Sequence, residues 1–315
     1  MPNSVPVLEF RDVTKTYRSR RGAVHALNGM SFRLNAGAIH VLLGPNGAGK
    51  TTSLEMAVGL RRPDSGSVRT LGLDPLARGA ELQQRVSLQP QEVTVFEYLR
   101  VGEILDMWAS LYDNPHPREE ILASLDLANL TDRQITKLSG GQKQRLNVAL
   151  AMVSKPDLLI LDEPSTGLDP RARETLWDTL KTWRDQGTTI VLSTHSMEEA
   201  HALADAVMII GGGTCIDQGT PAELLERHAE APAVTFRAIR PILGEIRAEL
   251  NALGTLPMND DEAGAVRTHD TDRALTILAG TGAVVDLRVD HPTLADAYKT
   301  ATGTELAATM IGAQS

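Results

Sequence analysis

The chain has 315 residues, a formal net charge of -9 and 42% hydrophobic residues, which together predict a soluble globular protein of one large or two ordinary domains. The acidic balance argues against a nucleic-acid-binding surface, which is usually basic, so no nucleic-acid partner is expected. A single cysteine, Cys215, excludes an internal disulfide and is typical of a reducing compartment. We find no run of about 18 apolar residues and no signal-peptide pattern, so we expect a cytoplasmic protein that reaches a membrane only through a partner.

The first elements in chain order are short apolar runs separated by turn signals. Residues 7–34 alternate apolar and polar positions, which predicts antiparallel strands. The runs "AIHVLLG", "LLILDEP" and "TTIVLSTHS" are apolar and bounded by turn or charge signals, as expected of buried strands. Helical stretches alternate with them, so the sequence predicts an α/β fold with a parallel sheet.

Residues 99–155 contain no strand-like run, and apolar residues recur at helical spacing in "VGEILDMWASLY" and "PREEILASLDLANL". We predict a helical subdomain here, inserted into a first domain that spans residues 1–228. After the "EAPA" linker, strand and helix patterns alternate, which predicts a small C-terminal α+β domain over residues 233–315. Its acidic run, Asp260 to Glu262, is interpreted as a solvated loop rather than a metal site.

The stretch "GPNGAGKT" matches the phosphate-loop pattern G-x-x-x-x-G-K-[ST] and lies between a predicted strand and a predicted helix. Its glycines let several backbone N–H groups face one anion, and the following helix presents its own unpaired N–H groups. Lys50 adds a charge for the terminal phosphates, and the Thr51 hydroxyl is a ligand for Mg²⁺. The predicted nucleotide-binding residues here are Gly44, Pro45, Asn46, Gly47, Ala48, Gly49, Lys50, Thr51 and Thr52.

The strand predicted from "LLILDEP" ends in two acidic residues, Asp162 and Glu163. Ligands of open α/β sheets bind at the carboxyl ends of the strands, so both side chains are expected at the phosphate site. We predict that Asp162 holds Mg²⁺, directly or through a water, and that Glu163 is the base that positions the attacking water. Such a pair taken alone is usually a solvated strand end, and the phosphate loop reverses that interpretation.

Six stretches follow one another in a fixed order: the phosphate loop, "QPQE", "LSGGQ", "LLILDEP", "STGLD" and "STHS". In this order they resemble an ABC-type nucleotide-binding domain over residues 7–226. The resemblance implies a P-loop NTPase fold of the ABC type, with an antiparallel β subdomain and a helical subdomain. It also implies that the chain binds ATP and Mg²⁺ and couples ATP hydrolysis to transmembrane transport.

The resemblance also implies roles for single residues. Tyr17 matches the aromatic residue that stacks on adenine, with a tyrosine packed on its strand as the close alternative. Gln91 matches the glutamine that senses the γ-phosphate and serves as a metal ligand, and it is favoured over Gln89 because "QE" then follows the family pattern. His195 resembles the switch histidine at the γ-phosphate. Asp169 resembles the residue that communicates across a dimer.

The stretch "LSGGQKQR" lies far along the chain from the phosphate loop. A serine hydroxyl and two glycine N–H groups at a helix start form a second anion site. In the family this signature closes over ATP that a second subunit holds, which implies a head-to-tail dimer of identical chains. Lys143 and Arg145 are expected on a solvated helix face. The predicted signature residues are Ser139, Gly140, Gly141 and Gln142.

Three stretches, "ALNGMSF", "GTPAELL" and "HPTLADAYKTATGTEL", resemble ATP-binding subunits of bacterial exporters of the drug- and antibiotic-resistance type. This implies a separate integral membrane permease, docked near residues 91–112, and a location at the cytoplasmic face of the cell membrane. An importer ATPase with a regulatory C-terminal domain is one alternative, and a soluble ABC ATPase acting on the ribosome or DNA is another. For the C-terminal domain, dimer contact is favoured over regulation or partner docking.

Overall fold

The computed structural model describes residues 5–19, 22–77, 79–91, 98–254, 258–259 and 263–303. The chain divides into two compact units, one ending at Pro221 and the other spanning Ala222–Glu305. This division falls at the start of the helix Pro221–His228, a few residues before the boundary predicted from the sequence. In the part of the chain that the structure describes, none of the helices has the length and apolar character that a bilayer crossing requires.

The strands of the first unit are, in chain order, β1 (Leu8–Ser19), β2 (Gly22–Leu34), β3 (Ile39–Leu43), β4 (Ser65–Thr70), β5 (Val86–Gln89), β6 (Leu158–Asp162), β7 (Thr189–Thr194), β8 (Ala206–Gly211) and β9 (Thr214–Gly219). Its helices are α1 (Lys50–Ala57), α2 (Gly79–Gln83), α3 (Val101–Ala109), α4 (Arg118–Ser124), α5 (Gly140–Met152), α6 (Pro170–Asp185) and α7 (Met197–Leu203). The helix α8 (Pro221–His228) begins where the second unit begins.

The central sheet has the strand order β5-β6-β7-β3-β8-β9, with β9 antiparallel and the other pairs parallel. Strands β3, β6 and β7 are buried at every position, which explains their continuous apolar sequences. Asp162 pairs with Ser193, and Leu43 pairs with Thr194, so three strands end at one edge of the sheet. The predicted α/β fold class is confirmed, and this edge holds the candidate site.

A second sheet, ordered β2-β1-β4, is antiparallel and packs over one shared hydrophobic core with the central sheet. Phe10 on β1 and Phe32 on β2 stack with ring centroids 4.6 Å apart, which is typical aromatic pairing. Met56 and Leu54 from α1 join the same core. The antiparallel subdomain therefore lies against the helix that follows the phosphate loop.

The described residues between β5 and β6 contain α3, α4, α5 and two short 3-10 turns, and no strand. Their buried faces are aliphatic, with Ile104 and Leu105 on α3 and Leu146 on α5 among the least exposed residues. This is the segment for which the sequence predicts a helical subdomain. The start of α5 carries the "LSGGQ" stretch.

The second unit contains β10 (Ala233–Ala238), α9 (Gly244–Leu253), β11 (Met258–Asn259), β12 (Ala263–Arg267), α10 (Thr271–Gly280), β13 (Val284–Asp290) and α11 (Leu294–Thr302). Its sheet is antiparallel with the order β11-β12-β10-β13. Helix α9 follows β10 and helix α10 follows β12 in the chain. This strand order with these helix positions is the split βαβ arrangement. Val234, Phe236, Leu250 and Val266 belong to a separate core. The acidic run at 260–262 lies outside the described residues.

Candidate nucleotide-binding site

The loop between β3 and α1 follows a path that requires glycine. Gly47 and Gly49 have φ angles of 81° and 100°, in the left-handed region. A Cβ atom on Gly49 would approach the Ala26 carbonyl oxygen to 2.5 Å, and one on Gly44 would approach the Ile210 carbonyl oxygen to 2.4 Å. Because Gly49 at the N-cap of α1 has no side chain, the first N–H groups of the helix remain open to an anion.

This loop forms one wall of a cavity of about 410 Å³, which we call the phosphate-loop cavity. Its lining includes predicted site residues from three separate parts of the sequence, together with Val24 and Ala26 of β2, which the sequence did not indicate. Val24 is 61% exposed, so its apolar side chain is accessible at the cavity, but no local pattern in the sequence indicates this role. The lining residues are Val24, Ala26, Pro45, Asn46, Gly47, Gly49, Lys50, Thr51, Thr52, Gln91 and Glu163.

Lys50 folds back over the turn that precedes it. Its Nζ donates to the carbonyl oxygens of Gly44 at 2.6 Å and Pro45 at 3.1 Å, and lies 3.8 Å from Glu163 Oε1. Burial lowers the pKa of Lys50, while the charges of Glu163 and Asp162 act in the opposite direction. The structure therefore holds a buried positive charge between the loop carbonyls and the two carboxylates.

The end of β6 delivers two carboxylates with different environments. Asp162 is 1% exposed and accepts a hydrogen bond from the Ser193 hydroxyl of β7. Glu163 has a φ angle of 51°, a left-handed conformation that costs a non-glycine residue about 1–2 kcal/mol. The Glu163 N–H donates to the Ser193 carbonyl at 3.2 Å and to the Ser193 hydroxyl at 3.1 Å. Ser193 thus holds both acidic residues, although no sequence pattern singled it out.

The Glu163 carboxylate is 8% exposed and lies among three cationic or polar partners. Its Oε1 is 3.2 Å from His195 Nδ1 and 3.8 Å from Lys50 Nζ, and its Oε2 accepts from the Thr166 hydroxyl at 3.3 Å. An ionised carboxylate only accepts hydrogen bonds, so Nδ1–H of His195 faces it and Nε2 is left for another partner. A carboxylate held in this way is suited to orient a water molecule and take its proton.

The predicted metal ligands are Thr51, Gln91 and Asp162. Thr51 and Gln91 both line the phosphate-loop cavity, and Asp162 is close enough to influence the pKa of Lys50. Among the described residues no group of three His, Cys, Asp or Glu side chains comes together as a metal cage. Mg²⁺ commonly binds one or two carboxylates and substrate phosphates rather than an all-protein cage. The donor set therefore fits a cation that Thr51 and Asp162 hold together with a nucleotide.

The two candidate glutamines have different surroundings. Gln89 is 1% exposed, and its Nε2 donates to the Pro90 carbonyl at 2.7 Å. Gln91 is exposed and lines the cavity. These positions favour Gln91 as the residue that meets a nucleotide.

Tyr17 lies at the border of the phosphate loop. Its hydroxyl is 3.5 Å from the Thr52 hydroxyl, and the guanidinium of Arg61 is 5.9 Å from its ring centroid. Lys15 Nζ is 5.8 Å from the same centroid. The role of Tyr17 in stacking on adenine stays a prediction.

The signature residues form the capped start of α5. Ser139 is the N-cap, its hydroxyl accepts from the Gln142 N–H at 3.3 Å, and its own N–H donates to Gln142 Oε1 at 2.9 Å. Asp169 similarly caps α6, and its carboxylate accepts from the Ala172 N–H at 2.9 Å. In the described part of the chain, neither Asp169 nor the signature residues Ser139, Gly140, Gly141 and Gln142 line the phosphate-loop cavity.

Arg145 does not lie on a solvated helix face, so that prediction is wrong. Its side chain is 11% exposed, and its guanidinium donates to the carbonyl oxygens of Leu125 at 2.8 Å and Asp126 at 3.1 Å. These carbonyls follow the end of α4, where backbone acceptors have no partner within the helix. Gln144, which the sequence did not single out, donates from Nε2 to the Pro164 carbonyl at 3.0 Å and the Glu163 carbonyl at 3.4 Å.

Comparison with known proteins agrees with this geometry. A family model described as ABC transporter matches residues 27–166. The chain is 37% identical over 254 residues to "Nod factor export ATP-binding protein I" of Burkholderia orbicola, which covers 79% of this chain and 82% of that protein. It is 38% identical over 222 residues to "Daunorubicin/doxorubicin resistance ATP-binding protein DrrA" of Streptomyces peucetius, covering 69% of this chain and 66% of that protein.

Solved structures share the fold of about two thirds of this chain or more. "Structure of ATP binding subunit of ABC transporter" aligns with a TM-score of 0.63 and 26% identity, over 70% of this chain and 92% of that chain. A dimeric ATP-binding cassette bound to ADP and Pi aligns with a TM-score of 0.62 over 68% of this chain and 98% of that chain, and its 23% identity supports the fold alone. The resemblance to ABC-type nucleotide-binding domains is confirmed. The chain belongs to the ABC transporter family and is one of its ATP-binding, ATP-hydrolysing subunits.

Proposed function

We propose that this protein hydrolyses ATP in two composite sites of a homodimer and thereby powers export through a separate integral membrane permease. The observation that carries the proposal is the Glu163 carboxylate, held 3.2 Å from His195 and 3.8 Å from Lys50 at the phosphate-loop cavity. These three side chains come from three parts of the sequence and meet at one edge of the parallel sheet. The names of the relatives support export.

In the proposed mechanism, the loop and the start of α1 bind the phosphates through backbone N–H groups, with Lys50 as the nearby cation. Thr51 and Asp162 would hold Mg²⁺, and the bound ion would supply positive charge against the charge on the phosphates. Glu163 orients the attacking water and accepts its proton, while Nδ1–H of His195 holds the carboxylate in place. Gln91 lies in the same cavity and reports the presence of the terminal phosphate.

The dimer completes the site. Ser139 and Gly140 lie at the start of α5 and are absent from the described lining of their own chain's cavity. In the proposal, a two-fold dimer brings this helix start over the nucleotide held by the other chain, so each contact is made twice. Asp169, at the start of α6, lies on the same interface and links the two sites.

A groove of about 590 Å³ between β5 and the helices α3 and α5 supports docking of a permease near residues 91–112. Within the described part of the chain, Gln89 Oε1 and Asn147 Oδ1 in this groove are buried and have no hydrogen-bond partner. Trp108 lines the same groove and Leu111 is 61% exposed beside it. Apolar surface with buried acceptors fits a partner segment that brings hydrogen-bond donors.

The domain assignment is part of the proposal. Residues 1–228 carry the ATPase cycle, and residues 233–315 form an accessory domain that keeps two chains together when ATP is absent. Deleting residues 233–315 and measuring nucleotide-free dimerisation by light scattering tests this role. An unchanged nucleotide-free dimer would contradict it.

Co-purification with a membrane protein tests the permease. We expect the chain to co-purify with a permease at the cytoplasmic face of the membrane and to be released by Leu111→Glu without loss of its own ATPase rate. Leu60→Glu is the matched control, because Leu60 is 66% exposed and does not line the groove. Binding to ribosomes or DNA with no membrane fraction would overturn the proposal.

A further inference from the structure

A buried carboxyl group outside the phosphate-loop cavity connects two segments of the site. Glu199, in the first turn of α7, is only 2% exposed. It accepts hydrogen bonds from the Ser165 hydroxyl and from Trp177 Nε1 at 3.2 Å, and it is also bonded to the Thr194 side chain. Burial raises the pKa of Glu199, and these donors act in the opposite direction.

The partners of Glu199 are neighbours of the proposed catalytic groups. Ser165 lies two residues after Glu163, and Thr194 lies immediately before His195. One carboxyl group therefore joins the segment that carries the proposed base to the segment that carries the histidine. An apolar residue of similar size would fill this space without joining the two segments, and burying a carboxyl group is unfavourable unless it gains such partners.

A second side chain, Gln144 on α5, also binds the segment that follows Glu163. Gln144 on α5 donates to the Pro164 carbonyl at 3.0 Å and to the Glu163 carbonyl at 3.4 Å. Gln144 lies five residues after Ser139, on the helix whose start is the proposed contact with the other chain's nucleotide. The segment 163–166 is thus bonded to α5 through Gln144 and to α7 through Glu199.

We propose that Glu199 and Gln144 are positioning residues for ATP hydrolysis. They keep the Glu163 carboxylate at hydrogen-bonding distance from His195 and connect the Glu163 segment to α5, which carries the signature residues. The inference rests on the catalytic roles proposed for Glu163 and His195. Neither residue lines the described phosphate-loop cavity, so their effect is expected on turnover rather than on ATP affinity. In the proposed dimer, the start of α5 contacts the ATP that the other chain holds, whereas Glu163 acts on the ATP in its own chain's cavity. Gln144 therefore connects the dimer contact at one ATP to the base at the other.

The first experiment compares Glu199→Ala, Glu199→Gln and Glu198→Gln. Misplacement of a reacting group by about 1 Å can cost about 10²-fold in rate, so Glu199→Ala is expected to lower kcat by up to that amount with an unchanged ATP Kd. Glu199→Gln should recover part of the rate, because its amide oxygen still accepts from Ser165 and Trp177. Glu198 is 68% exposed and pairs with Arg173, so Glu198→Gln should leave the rate unchanged.

The second experiment tests the α5 contact with Gln144→Ala, Gln144→Glu and the control Lys143→Ala. Gln144→Glu removes both donors and turns a carboxylate toward two carbonyl oxygens, so it should lower kcat more than Gln144→Ala. Lys143→Ala should retain the parent rate. ATP Kd and thermal unfolding of each protein, measured alongside, separate a change in turnover from a loss of folded protein.

The proposal fails if Glu199→Ala and Gln144→Glu keep the parent kcat while folded, or if kcat and ATP affinity fall together. Its failure is distinguishable from failure of the proposed function. A Glu163→Gln protein with full ATPase rate overturns the catalytic assignment itself. A Glu163→Gln protein that is inactive, together with fully active Glu199→Ala and Gln144→Glu proteins, overturns the positioning roles alone.

Discussion

Two helices of the first unit begin with glycine-rich sequence, and their starts differ in what their backbone N–H groups meet. Helix α1 begins after Gly49, which has no side chain, and its first turn faces the phosphate-loop cavity. Helix α5 begins after Ser139, whose hydroxyl and N–H are already engaged with Gln142. The first start is open to an anion in the single chain, whereas the second is already capped.

In the proposed dimer, the difference predicts that the two anion sites of one chain act in sequence. An uncapped helix start gains hydrogen bonds when phosphate arrives, so α1 binds nucleotide first. The capped start of α5 gains less from an anion, since part of its donors are already bonded. We therefore expect the contact of α5 to form only when a second chain supplies an ATP that is already bound and oriented.

The largest expected effect concerns the base beside α1. Glu163→Gln should lower ATP hydrolysis by about 10²–10⁴-fold, because the amide cannot accept the proton of water. ATP binding should remain, and the ATP-bound protein should accumulate as a dimer in light scattering. A full ATPase rate would show that Glu163 is not the base. If the ATP-bound variant stays monomeric even with its permease, the start of α5 does not bind the other chain's ATP, and the proposed difference between the two helix starts is wrong.

The second effect concerns the cap of α5. Ser139→Ala removes the cap, which costs about 1 kcal/mol of stability, and it also removes the proposed phosphate contact. Ser139→Asp keeps a good cap but places a negative charge at the same point, so it should lower hydrolysis by about 10²-fold without that loss of stability. ATP binding to the single chain should be unchanged in both. A fully active Ser139→Asp protein would show that Ser139 only caps the helix.

A third, smaller effect separates two neighbouring basic residues on α5. Arg145→Ala should reduce the free energy of unfolding by about 1.5–3 kcal/mol, because two carbonyl oxygens at the end of α4 lose a charged donor. Lys143→Ala should change it by less than about 0.5 kcal/mol. Urea unfolding of both variants makes the comparison. Equal effects would contradict the structural role of Arg145.

The smallest effect is the pH dependence that Glu199 contributes. Burial raises the pKa of Glu199 above its ordinary value of 4.5, so its contribution to stability is complete below pH 4.5 and declines as the pH rises through the folded-state pKa. Glu199→Gln removes this titration. The free energy of unfolding of the variant, relative to the parent, should therefore increase as the pH is raised above about 4.5 in urea unfolding. A constant difference would mean that the carboxyl group keeps its ordinary titration.

Much of the fold and the phosphate loop followed from local sequence. The buried runs at β3, β6 and β7 are continuous because both faces of a parallel sheet are covered. Other features had no local signal. The Ile210 carbonyl lies 2.4 Å from where a Cβ atom on Gly44 would be, a contact that the phosphate-loop pattern does not show, and Val24 enters the cavity from a strand far from the loop in sequence. The sequence prediction for Arg145 was wrong because its guanidinium donates to two carbonyl oxygens that follow the end of another helix, α4.

The sequence by itself determined the family, the turn that accepts phosphate and the acidic pair at the end of β6, since these depend on neighbouring residues and on the fixed conformational preferences of glycine. Only the tertiary structure decided that His195 and Lys50 meet at Glu163, that Ser193 fixes both acidic residues, and that Glu199 and Gln144 hold the segment between them. Those contacts depend on strand order and register, which bring together residues that are distant in the chain.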